Sequence, residues 1–414
     1  MKKQIFLLFL VSTPLSIYPV FSYLKSWFKP TELTDIFYIY SEIEQGGKEN
    51  QEDVLLVPET KDNKSSPFIT TGVFDGHGPG ALFWFNDQKN KKLINLCVKE
   101  KLISPIQHPE GNYACTGQNA AEWFKLKVDG YITQNLLGWK SWIYRACCFK
   151  KDFGAFAIEK ACVQAQQEYA QKIAALAEIA ITPGQSERTS VKKDPGTTCA
   201  LITLYKNFLY CSHVGDSRTL IIKPTLDELD RGLVYASIDH VPKEEHEKER
   251  LKKSNAVVKI IDGVRRIGGI LAASRSLGNV FLAKKGLIAQ PTIKKVPLDQ
   301  IETIISSTDG LLENLSSLYT RRYKIRKSTY ESSRQQNVVL IDLVEEYTQG
   351  CPRNFFIEKA CEGASNLRFK VVPCDQYKQA LLENSNRRYA DIERLHDNTS
   401  IVIGFRKKQR QLNI

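Results

Sequence analysis

The chain has 414 residues, 42% of them hydrophobic and 25% charged, with a formal net charge of +12 at pH 7. That balance is ordinary for a globular protein, and no low-complexity tract or regular internal repeat suggests a fibrous or solenoid chain. The length permits a large core and two or three domains. The basic excess is spread out, with dense patches at 89–92, 321–327 and 406–410. These read first as solvated surface, with attraction of phosphorylated or acidic partners as the functional alternative. No nucleic-acid-binding module accompanies the charge, so no nucleic-acid partner is expected.

In chain order, Lys2 and Lys3 precede the apolar stretch 5–11, followed by Pro14, Pro19 and Ser22. Residues 1–25 read as a secretory signal or an uncleaved membrane anchor, with a merely apolar terminus as the alternative. Residues 36–40 and 54–57 look like strands around a turn-rich 44–52. A third strand, 68–74, leads into the glycine-rich 76–80. Residues 81–150 suggest helices around an insertion. Apolar spacing predicts a long helix over 153–180, and two prolines and a glycine make 182–195 a surface loop. Strands are expected at 197–205 and 208–213, joined at Lys206-Asn207, and again at 218–222. A charged helix (243–254), turns with short strands (255–269), a strand (301–308), helical stretches within 314–396 and a last strand (400–405) complete the reading. Strands with irregularly interspersed helices give an α+β layered fold, not a regular doubly wound sheet.

The ten cysteines show no zinc-type spacing, and Cys147 and Cys148 are adjacent. Cys199 and Cys211 are not opposite each other in a simple register about Lys206-Asn207, so buried free thiols are expected. Acceptor sequons occur at Asn63, Asn314 and Asn398. The last two adjoin the site described next, where a glycan would obstruct chemistry. Localisation therefore stays divided between a secreted or membrane-associated protein and a cytoplasmic one.

Five short acidic motifs carry the chemistry: Glu52-Asp53, Asp75-Gly76-His77-Gly78, Gly215-Asp216-Ser217-Arg218, Asp309 through Glu313, and His396-Asp397-Asn398. Most follow an apolar, β-rich run, so carboxylates far apart in sequence can converge at strand ends. Hard divalent cations take oxygen ligands of this kind. The pattern points to a carboxylate-walled metal centre. Asp75 is its natural focus, with a tight turn expected from Gly76 to Gly78. Asp216 with Arg218 also admits a local turn salt bridge.

In their order these motifs resemble the type 2C metal-dependent serine/threonine protein phosphatases. The resemblance runs through 48–53, 71–80, 196–222, 239–250, 268–278, 306–313 and 397–405. It covers nearly all of the chain after about residue 35. It implies a four-layer α-β-β-α sandwich of two antiparallel β-sheets flanked by helices, with a two-metal site at one edge. A single catalytic domain would span 35–408, with insertions near 81–120, 181–195 and 320–390.

By that resemblance Asp75 bridges two Mg²⁺ or Mn²⁺ ions and Gly76 offers its carbonyl oxygen. Glu52 is a ligand of one ion, and Asp309 and Asp397 of the other. Asp53 holds metal-bound water, and Asp216 contributes to a weaker third ion with Asp309 and Glu313. His77 is the general acid. The implied substrates are phosphoserine and phosphothreonine in proteins, acted on by a monomer. Two metals can acidify a water and stabilise in-line displacement at a phosphomonoester. A histidine suits the acid role because its ordinary pKa is about 6.5.

Three residues depart from the family pattern. Lys48 stands where an arginine usually forks onto phosphate, and lysine lacks that planar geometry. Asn279 replaces an aspartate after the Ser274-Arg275 run. Glu313 replaces the commoner aspartate. A catalytically weak, phosphoprotein-binding scaffold is the alternative function, resting on these departures.

Overall fold

A computed structural model describes residues 37–44, 50–57, 68–78, 80–85, 90–108, 111–138, 152–180, 195–223, 233–310, 337 and 398–406. The chain enters through β1 (Phe37–Glu44), β2 (Asp53–Leu56), β3 (Phe68–His77) and β4 (Ala81–Phe83). Next come α1 (Lys91–Lys99), β5 (Ser104–His108), β6 (Gly111–Cys115), α2 (Gly117–Leu137) and α3 (Phe153–Ile179). A meander follows: β7 (Gly196–Tyr205), β8 (Phe208–Val214), β9 (Arg218–Ile222) and β10 (Leu233–Ala236). After α4 (Glu245–Lys253) come the hairpin β11 (Val258–Ile261) and β12 (Val264–Ile267), then β13 (Leu277–Gly278) and α5 (Val280–Ala283). The described path closes with β14 (Thr292–Pro297), β15 (Thr303–Ser307) and β16 (Thr399–Arg406).

Two antiparallel sheets carry the architecture. One has the order β1-β16-β15-β9-β10 and the other β14-β8-β7-β3-β2, with β13 pairing β7. Their facing sides alternate with their outer sides, as the pleat requires. Ile69, Ile202, Leu204 and Cys211 of the second sheet pack against Ile221 and Ile304 of the first. Val73 and Ala200 meet Val402 in the same layer. The opposite side of the second sheet offers Phe74, Cys199, Leu201 and Tyr205 to α2 and α3. Helices and antiparallel sheets thus form an α+β protein. β1 pairs β16 along its whole length, so the early and late described segments share one sheet.

Local chemistry fixes the two long helices. The Thr116 side chain accepts from Asn119 N, while Asn119 Oδ1 accepts from Thr116 N, a reciprocal cap opening α2. Asp152 caps α3 by accepting from the backbone of Gly154 and Ala155. Tyr210 Oη and Lys295 Nζ also bind Asp152, tying the helix to β8 and β14. The helices meet through Trp123, Phe124 and Tyr169, with ring centroids 4.9–5.4 Å apart. All three rings are fully buried.

Several sequence expectations need correction. Region 81–150 holds the expected helices, α1 and α2, in its described part, but it also holds strands that were not expected. It contributes a three-stranded sheet, β4-β6-β5, beside α1 and α2. β10 and β14 were not foreseen; β14 is partly exposed and carries Lys294 and Lys295, so its alternation is weak. The expected turn at Gly76–Gly78 begins later, because Asp75, Gly76 and His77 continue β3 and pair with β7. The loop at 182–194, residues 1–25 and most of 320–390 lie outside the described residues. Among the described residues no helix is long and apolar enough to cross a membrane.

Candidate metal centre

β2 and β3 set the first pair of carboxylates. Asp53 lies directly opposite Asp75 in the antiparallel ladder. Leu55 and Val73 face the layer between the sheets, so Asp53 and Asp75, each two residues away, share that face. Directly opposed side chains have Cβ atoms roughly 4.5–5.5 Å apart, and two like charges there destabilise the pair. A cation between them relieves that repulsion. The all-oxygen chemistry of the donors fits a hard divalent ion.

Neighbouring segments are tied to the same end of the sandwich. Glu52 N donates to Asn398 Oδ1 at 3.0 Å, joining the start of β2 to the start of β16. Gly76 N donates to Glu52 O at 3.2 Å. Thr308 Oγ1 donates to Asp53 Oδ2 at 3.0 Å and accepts from Ser400 N at 2.9 Å. Asp309 therefore follows directly from a residue bonded to Asp53. Thr197 Oγ1 donates to the Asp75 carbonyl at 2.9 Å, fixing the backbone of β3 beside the site. Glu52, Asp75, His77, Asp216 and Asp309 are partly buried, and Asp53 is buried.

The N-terminus of α2 closes against this cluster. A Cβ on Gly117, its first residue, would lie 2.6 Å from Glu52 Oε1 and from His77 N. A Cβ on Gly76 would lie 2.3 Å from Gly117 O. Only glycine at both positions permits this approach. The Glu52 carboxylate thereby sits at the positive end of a 21-residue helix.

Asp216 belongs to a turn held from below. Gly215 has φ 98° and packs on Thr198, which lies opposite Asp75 in β7. Ser217 Oγ and Thr198 Oγ1 are 2.6 Å apart. His240 Nδ1 accepts from Gly215 N at 3.1 Å, and its ring stacks on His213 at 4.2 Å. Burial pushes the His213 pKa down to about 4 and that of His240 further still, so both rings are neutral at pH 7 and serve as supports. Arg218 directs Nε and a terminal nitrogen onto the two oxygens of Asp239 and another nitrogen onto Asn337. Among the described residues Arg218 thus pairs with the Asp239 carboxylate.

His77, at the end of β3, is held by a part of the chain that the sequence left doubtful. Its Nε2 is 2.7 Å from Asn279 Oδ1 and 3.2 Å from Ser276 Oγ. Nothing in the local sequence around His77 announces that contact.

Described structure thus brings Glu52, Asp53, Asp75, Gly76 and His77 to one end of the sandwich, with Asp309 and Asp216 entering from β15 and from the turn after β8. Lys48, Asp397 and Glu313 lie outside the described residues. Among the described residues no group of three or more His, Cys, Asp or Glu side chains could by itself hold a metal ion. Gly117, Thr308 and His240 were not legible as site residues, because they act through backbone, hydroxyl and tautomer. A Thr-x-x-Asn cap at 116–119 was the one available signal, since it marks a helix N-terminus. The described free cysteines are buried. Burial drives the thiols of Cys162, Cys199 and Cys211 well above their ordinary range, which excludes them as thiolate nucleophiles.

Several known proteins are similar to this chain. The Protein phosphatase 2C family model matches residues 149–318. "Probable protein phosphatase 2C 7" of Oryza sativa subsp. japonica is 32% identical over 130 residues, covering 31% of this chain and 32% of that protein. "Protein phosphatase 1L" of Bos taurus is 26% identical over 317 residues, covering 76% of this chain and 69% of that protein. The match spans only 23–32% of the length of four plant relatives. In fold, the chain is similar to the crystal structure of serine-threonine phosphatase 2C from Toxoplasma gondii. That likeness has TM-score 0.54 and 18% identity, covering 90% of this chain and 95% of the other.

Proposed function

From the type 2C protein phosphatase family, which the family model, the relatives and the fold likeness support, we propose that this chain hydrolyses phosphoserine and phosphothreonine in proteins. The observation that carries the reading is the in-register pair Asp53 and Asp75 at the mouth of the inter-sheet layer. Glu52, Thr308 and Asn398 are tied to the same point. A four-layer sandwich with its active edge at these strand ends, formed by one domain over 35–408, is the corresponding architecture.

Glu52, Asp75, the Gly76 carbonyl, Asp309 and Asp397 would hold two Mg²⁺ or Mn²⁺ ions, and Asp216 with Glu313 and Asp309 a weaker third. Bound ions of this type acidify water and neutralise charge on a phosphoryl group. Asp53 orients the attacking water with a carboxylate oxygen, while Thr308 steadies its other oxygen. Lys48 draws in the phosphate dianion as a point charge, without the fork of an arginine. His77 gives a proton to the departing serine or threonine oxygen. The neutral site framework of His213 and His240 keeps the Asp216 turn in place.

The test is phosphate release from a phosphothreonine peptide by the full chain with Mn²⁺. Activity abolished by a chelator is expected. Inactivity with both Mn²⁺ and Mg²⁺ on phosphoserine and phosphothreonine peptides would refute the proposal and favour the scaffold.

A further inference from the structure

Asn279 stands where the family usually has an aspartate, yet it contacts the proposed acid directly. His77 lies opposite Gly196 in β7, and Gly196 lies opposite Gly278 in β13. Because Gly196 has no side chain, the Asn279 amide crosses above it; a Cβ there would be 2.1 Å from Asn279 Oδ1. Asn279 adopts φ 45° and ψ 47°, a left-handed conformation that asparagine, aspartate and glycine tolerate. Its N–H donates to Pro195 O at 3.0 Å, and the residue is 4% exposed. The amide is therefore fixed by backbone, turn and packing before it meets the ring.

Asn279 Oδ1 is a carbonyl oxygen and can only accept, and Ser276 Oγ lies 2.7 Å from it. His77 Nε2, 2.7 Å from the same oxygen, must then carry a hydrogen and donate it. We infer that Asn279, supported by Ser276, is a positioning residue that holds His77 by Nε2–H and leaves Nδ1 as the nitrogen that serves the leaving group. The inference rests on the phosphatase reading above. In the step, the bond between phosphorus and the serine or threonine oxygen breaks, and its electron pair stays on that oxygen. The Nδ1 proton passes to the same oxygen, while water forms the new P–O bond and releases a proton.

Leaving-group dependence separates this role from simple structural support. A serine or threonine alkoxide needs the proton, whereas p-nitrophenolate departs without one. Asn279→Gly removes the amide and keeps the left-handed backbone free of strain. Asn279→Asp keeps an acceptor oxygen and tolerates the same backbone. In Asn279→Gly, kcat on a phosphothreonine peptide should fall about 30-fold or more, given the 10²–10⁴-fold worth of general acids. On p-nitrophenyl phosphate the loss should be at least about tenfold smaller than on the peptide, and Asn279→Asp should keep peptide turnover near that of the parent. Equal losses on both substrates, or an unchanged peptide rate in Asn279→Gly, would overturn the inference while leaving the phosphatase reading intact. A parent inactive on both substrates would overturn the reading itself and the inference with it.

Discussion

Replacing Glu247 by glutamine tests how the segment behind the Asp216 turn is held together. Glu247 is fully buried on α4. It accepts from Arg250 Nε at 3.0 Å, Arg275 Nε at 2.9 Å and Ser274 Oγ at 2.6 Å, with further bonds from a terminal nitrogen of each arginine. Burial alone would push its carboxyl upward, but the bonds from Arg275, Arg250 and Ser274 outweigh it and leave the pKa at about 2, against 4.5 ordinarily. A depressed folded-state pKa contributes stability that is complete above the unfolded value and disappears as pH falls through the folded one. The depression is worth roughly 3 kcal/mol at pH 7 and about 1 kcal/mol at pH 3. Glutamine resembles the protonated carboxyl, so Glu247→Gln should lose those amounts at the two pH values. Urea unfolding of both proteins at pH 7, 5, 4 and 3 measures the difference. A loss that is independent of pH, or smaller than about 1 kcal/mol at pH 7, would refute the reasoning.

Two substitutions test the mouth of the sandwich. Gly117→Ala places a Cβ 2.6 Å from Glu52 Oε1 and His77 N. It should cost about 1–3 kcal/mol of stability in thermal melts, with a fall in Mn²⁺-dependent kcat because Glu52 and β3 must shift. Thr308→Val keeps the shape but removes the donor to Asp53 and the acceptor for Ser400 N. A loss of about 1–3 kcal/mol is expected in denaturant unfolding, together with reduced turnover.

The strands bearing the site were legible because their periodicity is strong. Residues 197–205, 208–213 and 218–222 anticipated β7, β8 and β9 to within a residue, and 153–180 anticipated α3. Cys199 pairs with Val214 and Cys211 with Ile202, so the absence of an opposed cysteine pair was also legible from the turn. What escaped was structure whose signal is tertiary. Asp75 and His77 remain in strand because β7 supplies partners beyond the glycine, overriding the local turn tendency. The three-stranded sheet after β4 consists of strands of three to five residues, too short for periodicity to declare. Asp53 opposite Asp75 follows only from the register of β2 on β3, which motif order does not encode. Asn279 looked like a lost charge, yet its contact with His77 crosses 202 residues of sequence.

Titration calorimetry of Mn²⁺ against the full chain and against Asp75→Asn tests the centre most directly. Asparagine removes the charge opposed to Asp53 while conserving shape, so the comparison isolates the carboxylate. The parent should bind Mn²⁺ with more than one ion per chain, and Asp75→Asn should lose that binding together with phosphate release from a phosphothreonine peptide. Undiminished Mn²⁺ binding and turnover in Asp75→Asn would contradict the account.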